Sequence, residues 1–405
     1  MNMERKNAWN GYETEELKKV DALNQEYRTF LNEGKTEREC VKLAVKMAEE
    51  AGYRDLKDVI AKKETLKAGD KVYAVGMKKM ISLFQIGKKP LEEGMAILGA
   101  HIDSPRLDIK QNPLYEEGGF AYLDTHYYGG IKKYQWVTLP LAVHGVIAKK
   151  DGTVVDVKIG EDKEDPVFCV TDLLIHLSGD RMEKKANKVI EGEELDLLFG
   201  SKPLKGKEKE AVKESVLALL KEKYDMEEED FLSAELEIVP AGEAREAGID
   251  ASMIRSVGAT GMQSKTFENT VAEILACMGE YSDLAVRRCL ANSKMLSSDV
   301  SAAFDPTFKS AYEPKNAAYF GKGMVFNKFT GARGKSGSND ANAEYIASIR
   351  RILDEKNVAY QTAELGKVDV GGGGTIAYIM ALYGMEVIDC GVAVLNMHAP
   401  WEIVS

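Results

Sequence analysis

The sequence predicts an α/β protein in which one domain is split by an inserted, antiparallel β-rich module. Three observations carry this. Apolar residues recur at helical spacing near the start and again beyond residue 266, with short apolar strand runs between the helical stretches. Between these regions the texture changes to short alternating segments punctuated by Gly and Asp. The chain has 405 residues, and single cores stop growing at about 250–300 residues, so two domains are the default. The expected boundaries are 1–107 and 237–405 for the split domain and 108–236 for the insertion.

The first helical stretch runs from Glu13 to Ala51, with Leu17, Val20, Leu23, Tyr27, Phe30 and Leu31 three or four residues apart. Gly34-Lys35-Thr36 interrupts it, and Thr36 followed by Glu39 is a capping-box pattern that restarts a helix through Ala44, Met47 and Ala48. Lys71–Val75 and Ile81–Gln85 read as strands around Gly76. The apolar run Gly94–Gly99 ends at His101. A continuous apolar strand that delivers a polar residue is how open α/β sheets present their sites, at the carboxyl ends of strands.

In the insertion, Val137–Leu141, Val143–Ala148 and Val154–Ile159 read as short antiparallel strands. Val212, Val216, Leu219 and Leu220 define one face of an amphipathic helix. Glu227-Glu228-Glu229-Asp230 reads as a solvated acidic loop. After Leu236 the α/β alternation returns. Phe267–Met278 and Asn339–Lys356 are helical, while Lys294–Asp299, Gly323–Lys328 and Ala359–Leu365 are strand-like. The turn Asp369–Gly374 leads into a helix through Ile376, Met380 and Leu382, followed by the buried strand Val387–Cys390 and the segment Gly391–His398.

Composition narrows the function. Lysine and arginine number 54 against 65 acidic residues, a net charge of −11, which argues against a nucleic-acid partner. No run of about 18 apolar residues spans a membrane, and the N-terminus lacks an apolar signal core. The five cysteines are scattered without a C-x-x-C pair, as expected of reduced thiols in a cytoplasmic protein.

The chain contains five histidines. His144 sits in an apolar strand pattern and reads as structural; His126 lies among Tyr122, Tyr127 and Tyr128 and is ambiguous. His101 stands in Gly99-Ala100-His101-Ile102-Asp103-Ser104-Pro105, where a carboxylate two residues on can hold the second ring nitrogen of a metal-binding imidazole. H-x-D alone is a weak signal. Asp299 ends another strand-like run and fits either a hard ligand or a helix cap. His398 follows a third. Three strand-end donors, His, Asp and His, point toward zinc. The glycines 371–374 match neither a P-loop nor G-x-G-x-x-G; close backbone approach explains them better, with Asp369 the polar neighbour.

Taken together, Gly99–Leu107, Thr171–Leu177, Gly261–Lys265, Met295–Pro306, Asp369–Ala377 and Asn396–Ala399 resemble the aspartyl aminopeptidase family, in its bacterial branch. These are dinuclear zinc exopeptidases, and the resemblance implies a split, zinc-exopeptidase-like α/β/α catalytic domain with an inserted dimerisation domain. It implies that His101 and Asp299 are terminal ligands of one Zn2+ and His398 of the other. Asp103 resembles the carboxylate behind His101, and His176 the histidine that reaches a neighbouring subunit's site. Lys328, Asp369 and Gly373 fall on the substrate side. The implied activity is hydrolysis of N-terminal residues from peptides by metal-activated water, two metals supplying the activation, in a homo-oligomer of dimers with no membrane or nucleic-acid partner.

The sequence also departs from that family. A bridging aspartate, a helix and a strand ending in two glutamates, the first acting as general base, are expected between Met253–Ser256 and Val257–Gly261. Here Ser256 runs directly into Val257, a shortfall on the order of 40 residues, about one strand–helix–strand unit. The chain stops at Ser405, where the family continues into a closing helix. Ala302 stands where members selective for acidic residues carry a histidine. The resemblance therefore implies fewer than two bound metals in this chain and a much reduced rate, and it leaves open a catalytically inactive member that serves as a structural or peptide-binding subunit.

Overall fold

The computed structural model describes residues 7–246, 253–254, 264–331, 339–373 and 375–404. The chain forms two compact units. One comprises Met1–Asp103, Arg245–Met397 and Glu402–Ser405; the other comprises Ser104–Ala244 and His398–Trp401.

The first unit opens with helices α1 (Thr14–Glu33) and α2 (Glu37–Glu50). The break at Gly34–Thr36 is set by a reciprocal cap. The Glu39 N–H donates to the Thr36 hydroxyl and the Thr36 N–H donates to the Glu39 carboxylate, satisfying two donors that helix geometry would leave orphaned. Then come β1 (Arg54–Asp55), α3 (Leu56–Ala61), β2 (Lys71–Gly76) and β3 (Met80–Gln85), with the strands in a three-stranded sheet of order β1-β2-β3. β4 (Ala96–Ala100) follows and belongs to a different sheet.

The second unit carries β5 (Arg106–Glu117), β6 (Phe120–Tyr128), β7 (Leu141–Ala148), β8 (Val154–Ile159), β9 (Cys169–Val170), the short α4 (Gly179–Met182), β10 (Leu197–Gly200), α5 (Ala211–Tyr224) and β11 (Ala234–Pro240). Its strands form one antiparallel sheet of order β8-β7-β11-β5-β6-β10-β9. Leu107, Leu123, Ile147, Leu197 and Ile238 meet Val212, Val216 and Leu220 of α5 in its core, together with Trp136.

Three expectations for this unit change. Val137–Leu141 is not a strand: Val137 makes one isolated bridge, and Thr138 adopts a left-handed φ of 60° that ends any extended run. Leu219 is 62% exposed, because the α5 stripe advances four residues at a time and leaves position 219 off the buried face. The acidic run caps a 3-10 turn over Glu228–Ser233, the Glu227 N–H donating to Asp230, which is itself buried.

Returning to the first unit, the chain forms β12 (Met253–Ile254), α6 (Thr266–Met278), α7 (Asp283–Asn292), β13 (Lys294–Ser298), β14 (Ser301–Ala302), β15 (Met324–Asn327), α8 (Ala343–Glu355), β16 (Tyr360–Ala363), α9 (Ala377–Ala381), β17 (Glu386–Gly391), β18 (Ala393–Leu395) and β19 (Glu402–Val404). Four of these strands join β4 in a five-stranded sheet of order β16-β15-β17-β13-β4, with β4, β13 and β17 parallel. Met295 and Val387 pack with α6, α7 and α9, whereas Leu296 and Ile388, their chain neighbours, pack with Tyr345 and Ile349 of α8. Alternation along the strands thus buries both faces, giving three α/β/α layers. α9 is shorter than its apolar pattern predicts, and Leu382 lies beyond it, 80% exposed. A small sheet, β12-β19-β18-β14, completes the unit. Among the described residues no helix is long and apolar enough to cross a membrane.

Candidate active site

β4 and β13 pair in register, Ser298 opposite Ala100, so the next residue of each strand emerges at the same level. Those residues are His101 and Asp299. His101 Nε2 lies 3.2 Å from Asp299 Oδ1, and Nδ1 lies 3.5 Å from Asp103 Oδ1. Asp299 is fixed from behind: its N–H donates to the Cys390 carbonyl at 2.7 Å, and its Oδ1 accepts from the Val300 N–H at 2.7 Å. The backbone approach there is so close that a Cβ on Gly391 would stand 1.8 Å from the Asp299 carbonyl oxygen. Burial works against a charge on His101, but hydrogen bonds to Asp103 and Asp299 outweigh it and push the imidazole up to about 10.

A row of buried polar side chains leads away from this group across the sheet. Ser297 pairs with Asp389 of β17, and Asp389 pairs with Asn327 of β15; all three are buried. Asn327 Nδ2 donates to Asp389 Oδ2 at 3.0 Å and its Oδ1 accepts from Ser301 Oγ at 3.2 Å. Asp389 Oδ1 and Ser297 Oγ find no hydrogen-bond partner within 3.5 Å among the described residues. Burial, reinforced by the Asp299 charge, pushes the Asp389 carboxyl up to about 7 against the opposing effect of Asn327. Sequence reasoning passed over Asp389. Its signal was a carboxylate at the centre of an otherwise apolar run, Val387-Ile388-Asp389-Cys390, which demands a polar partner.

His398 belongs to the second unit, adopts a left-handed φ of 66° and directs Nδ1 at the Gly130 carbonyl, 3.2 Å away. His176 is exposed on a 3-10 turn, Ile175–Leu177. The Lys328 ammonium lies 5.0 Å over the Phe329 ring. Asp369 is exposed with φ 69°, and the Gly373 carbonyl accepts from the Gly331 N–H at 2.6 Å. The glycine run is indeed a close approach: a Cβ on Gly371 would meet the Leu365 carbonyl at 1.9 Å. His144 is fully buried, 3.0 Å from Glu161 Oε1, as a structural histidine should be. None of the five cysteines is in a disulfide. Ser256, Val257 and Gly261–Gln263, where the departure from the family pattern falls, lie outside the described residues, as does Gly374.

The donors that converge suit zinc in kind but not in number. His101 and Asp299 offer a nitrogen and an oxygen, whereas zinc takes about four ligands, at least three of them usually from the protein. Among the described residues no group of three His, Cys, Asp or Glu is placed to hold a metal. His101 and Asp299 satisfy each other instead.

Comparison with known proteins completes the picture. A probable M18 family aminopeptidase 1 of Clostridium acetobutylicum is 59% identical over 441 aligned positions, covering 99% of this chain and 95% of its own. The crystal structure of aminopeptidase I from that organism superposes with a TM-score of 0.90 at 58% identity, covering all of this chain and 96% of that one. An M18 aminopeptidase structure from Thermotoga maritima reaches 0.91 at 40% identity with the same coverage. An alignment of 441 positions against a chain of 405 residues leaves about 40 positions occupied only in the relative. The family model for aminopeptidase I zinc metalloproteases is met in two stretches, 30–258 and 250–405, which overlap over residues 250–258. Spanning almost the whole chain, these matches show that the protein belongs to the M18 family of aminopeptidase I zinc metalloproteases.

Proposed function

We propose that this protein is a zinc-dependent aminopeptidase of the cytoplasm that removes N-terminal residues from peptides, and that its complete site takes two metal ions per subunit. The observation that carries the reading is the convergence of His101 and Asp299 at the carboxyl ends of adjacent parallel strands, with Asp103 behind the imidazole. In this reading His101 and Asp299 serve one metal, His398 the other, and Asp103 holds the ring orientation of His101. Lys328, Asp369 and Gly373 serve the peptide. Because the described donors fall short of a zinc site, no catalytic step is assigned to them, and the chain as it stands is expected to turn over far more slowly than its relatives.

Assembly belongs to the same proposal. Leu174, Ile175, Leu177 and Met182 are 54–69% exposed around His176, a cluster of apolar side chains of the kind that marks an interaction face. A homo-oligomer built from dimers would cover it and bring His176 to a neighbouring subunit.

The test is release of N-terminal amino acids from a peptide panel. The assay uses the chain itself and a chimera carrying, between residues 250 and 258, the stretch that the C. acetobutylicum relative has and this chain lacks. Chelator-sensitive release by the chimera, reduced roughly a hundredfold or more by His101→Ala, is the expected result. A folded chimera that binds zinc without releasing amino acids would overturn the reading.

A further inference from the structure

Two sheets of the first unit stop short of each other. Among the described residues β3 pairs with β2 alone and β4 with β13 alone, yet both line one groove of about 990 Å³. Phe267 of α6, Ile379 of α9 and Ile376 just before α9 line it too, and Phe84 of β3 stacks on Phe267 at 6.2 Å. The backbone groups that face the groove follow from strand alternation. Met95 accepts from the Lys294 N–H, so Met95, Ile97 and Gly99 address β13, and the N–H and C=O groups of Ala96, Leu98 and Ala100 point the other way. Ile86 exchanges bonds with Gly69 and Asp70. By the same alternation, Ile81, Leu83 and Gln85 turn their peptide groups away from β2. Two rows of ladder groups without a ladder therefore border one apolar space.

Neither border is built as an outer edge. Natural edge strands carry charges, prolines or bulges that discourage further pairing. β3 reads Met-Ile-Ser-Leu-Phe-Gln and β4 reads Ala-Ile-Leu-Gly-Ala, without one charge or proline. Leu98 is 76% exposed and Leu83 47%, although β4 adjoins the sheet's interior strands. The relatives superpose on all of this chain yet occupy about 40 aligned positions that it does not, and the two stretches that match the family model overlap at residues 250–258. A few residues beyond that overlap, Ser264 and Thr266 themselves line the groove.

We propose that the groove between β3 and β4 is a strand-acceptor site: it binds, in trans, an extended polypeptide segment of five or six residues that pairs with both edges and unites the two sheets. The occupant is an extended run of the stretch that relatives have and this chain lacks, apolar where it meets the Phe267–Ile376–Ile379 floor, its side chains alternating between that floor and the opposite face. Main-chain hydrogen bonds to both edges supply the affinity and the floor supplies selectivity, as in strand addition generally. This site does not depend on the aminopeptidase reading, and its test reads binding rather than turnover.

The probe is the synthetic segment of the C. acetobutylicum relative that has no counterpart here, fluorescently labelled and titrated into the 405-residue chain. Saturable 1:1 binding by anisotropy is expected, with hydrogen exchange in Ile81–Gln85 and Ala96–Ala100 slowed about tenfold or more. A segment N-methylated at alternate strand amides should lose that binding. Leu98→Pro removes a groove-facing N–H without touching the β13 ladder and should weaken binding roughly five- to tenfold. Absence of binding, equal binding by a scrambled segment, or unchanged binding after N-methylation in both strand registers would each overturn the proposal. So would protection of both edges in the chain without peptide, which would mean that the chain or a second copy already closes the groove.

Discussion

The seven-stranded sheet of the second unit and the paired sheets of the first end in opposite ways. β8, one border of the second unit's sheet, carries Asp156 and Lys158, and the other border, β9, is two residues long. Both are terminations of the kind that blocks further pairing. β3 and β4 are longer, uncharged and directed at one groove. The chemistry of a border strand thus separates a sheet that ends from a sheet that is interrupted.

Several measurements would break or sharpen this contrast. The largest effect is expected in the closed core of the second unit: Ile147, wholly buried, changed to Ala should lower stability by about 2–5 kcal/mol. Phe84→Ala at the groove should fall well below that range, since Phe84 is itself only half-buried. Urea unfolding read by hydrogen exchange in β7 and β3 peptides tests the pair, and equal losses would erase the distinction.

Next is Asp389. Its carboxyl sits near 7 in the folded chain against an ordinary 3.8, so the folded state holds the proton more tightly than the unfolded one. Its contribution is therefore fully present below about pH 4 and is lost as pH rises through 7. Asp389→Asn should leave stability at pH 4 nearly unchanged and reduce the loss between pH 4 and 8 by about 2–4 kcal/mol. Denaturation curves at the two pH values, wild type against variant, give the answer; a parallel shift at both would refute the titration. Thr36→Ala, which removes a local cap in the first unit, should lower stability by about 1 kcal/mol in a urea series. Smallest of all, Leu219→Lys on the exposed side of α5 should stay within about 0.5 kcal/mol by thermal melt; a larger loss would mean that this surface is covered in solution.

What could be read from the chain was what is local. Thr36 and Glu39 are three residues apart, so their cap is written in one turn of helix. His101 and Asp299 each follow an apolar run that predicts a strand end, and neighbouring strand ends of a parallel sheet converge without further information. Asp389 was passed over because its partners, Ser297 and Asn327, come from strands remote in sequence and only sheet order brings them together. The same holds for His398, whose contact with Gly130 depends on a return of the chain that no local pattern encodes. Leu219 shows a finer limit: in a stripe of Val212, Val216 and Leu220, one residue's rotation, about 100°, separates core from solvent.

Gly391 performs no chemistry and touches no ligand, yet the Asp299 backbone passes through the space where its side chain would be. A survey of tolerated substitutions would mark this position as intolerant as a catalytic residue. Any lineage that retains Asp299 at the end of its strand inherits that constraint: the carboxylate's reach toward His101 is measured from a peptide bond that only hydrogen at position 391 admits. In this protein one donor atom is located by the absence of another residue's atoms.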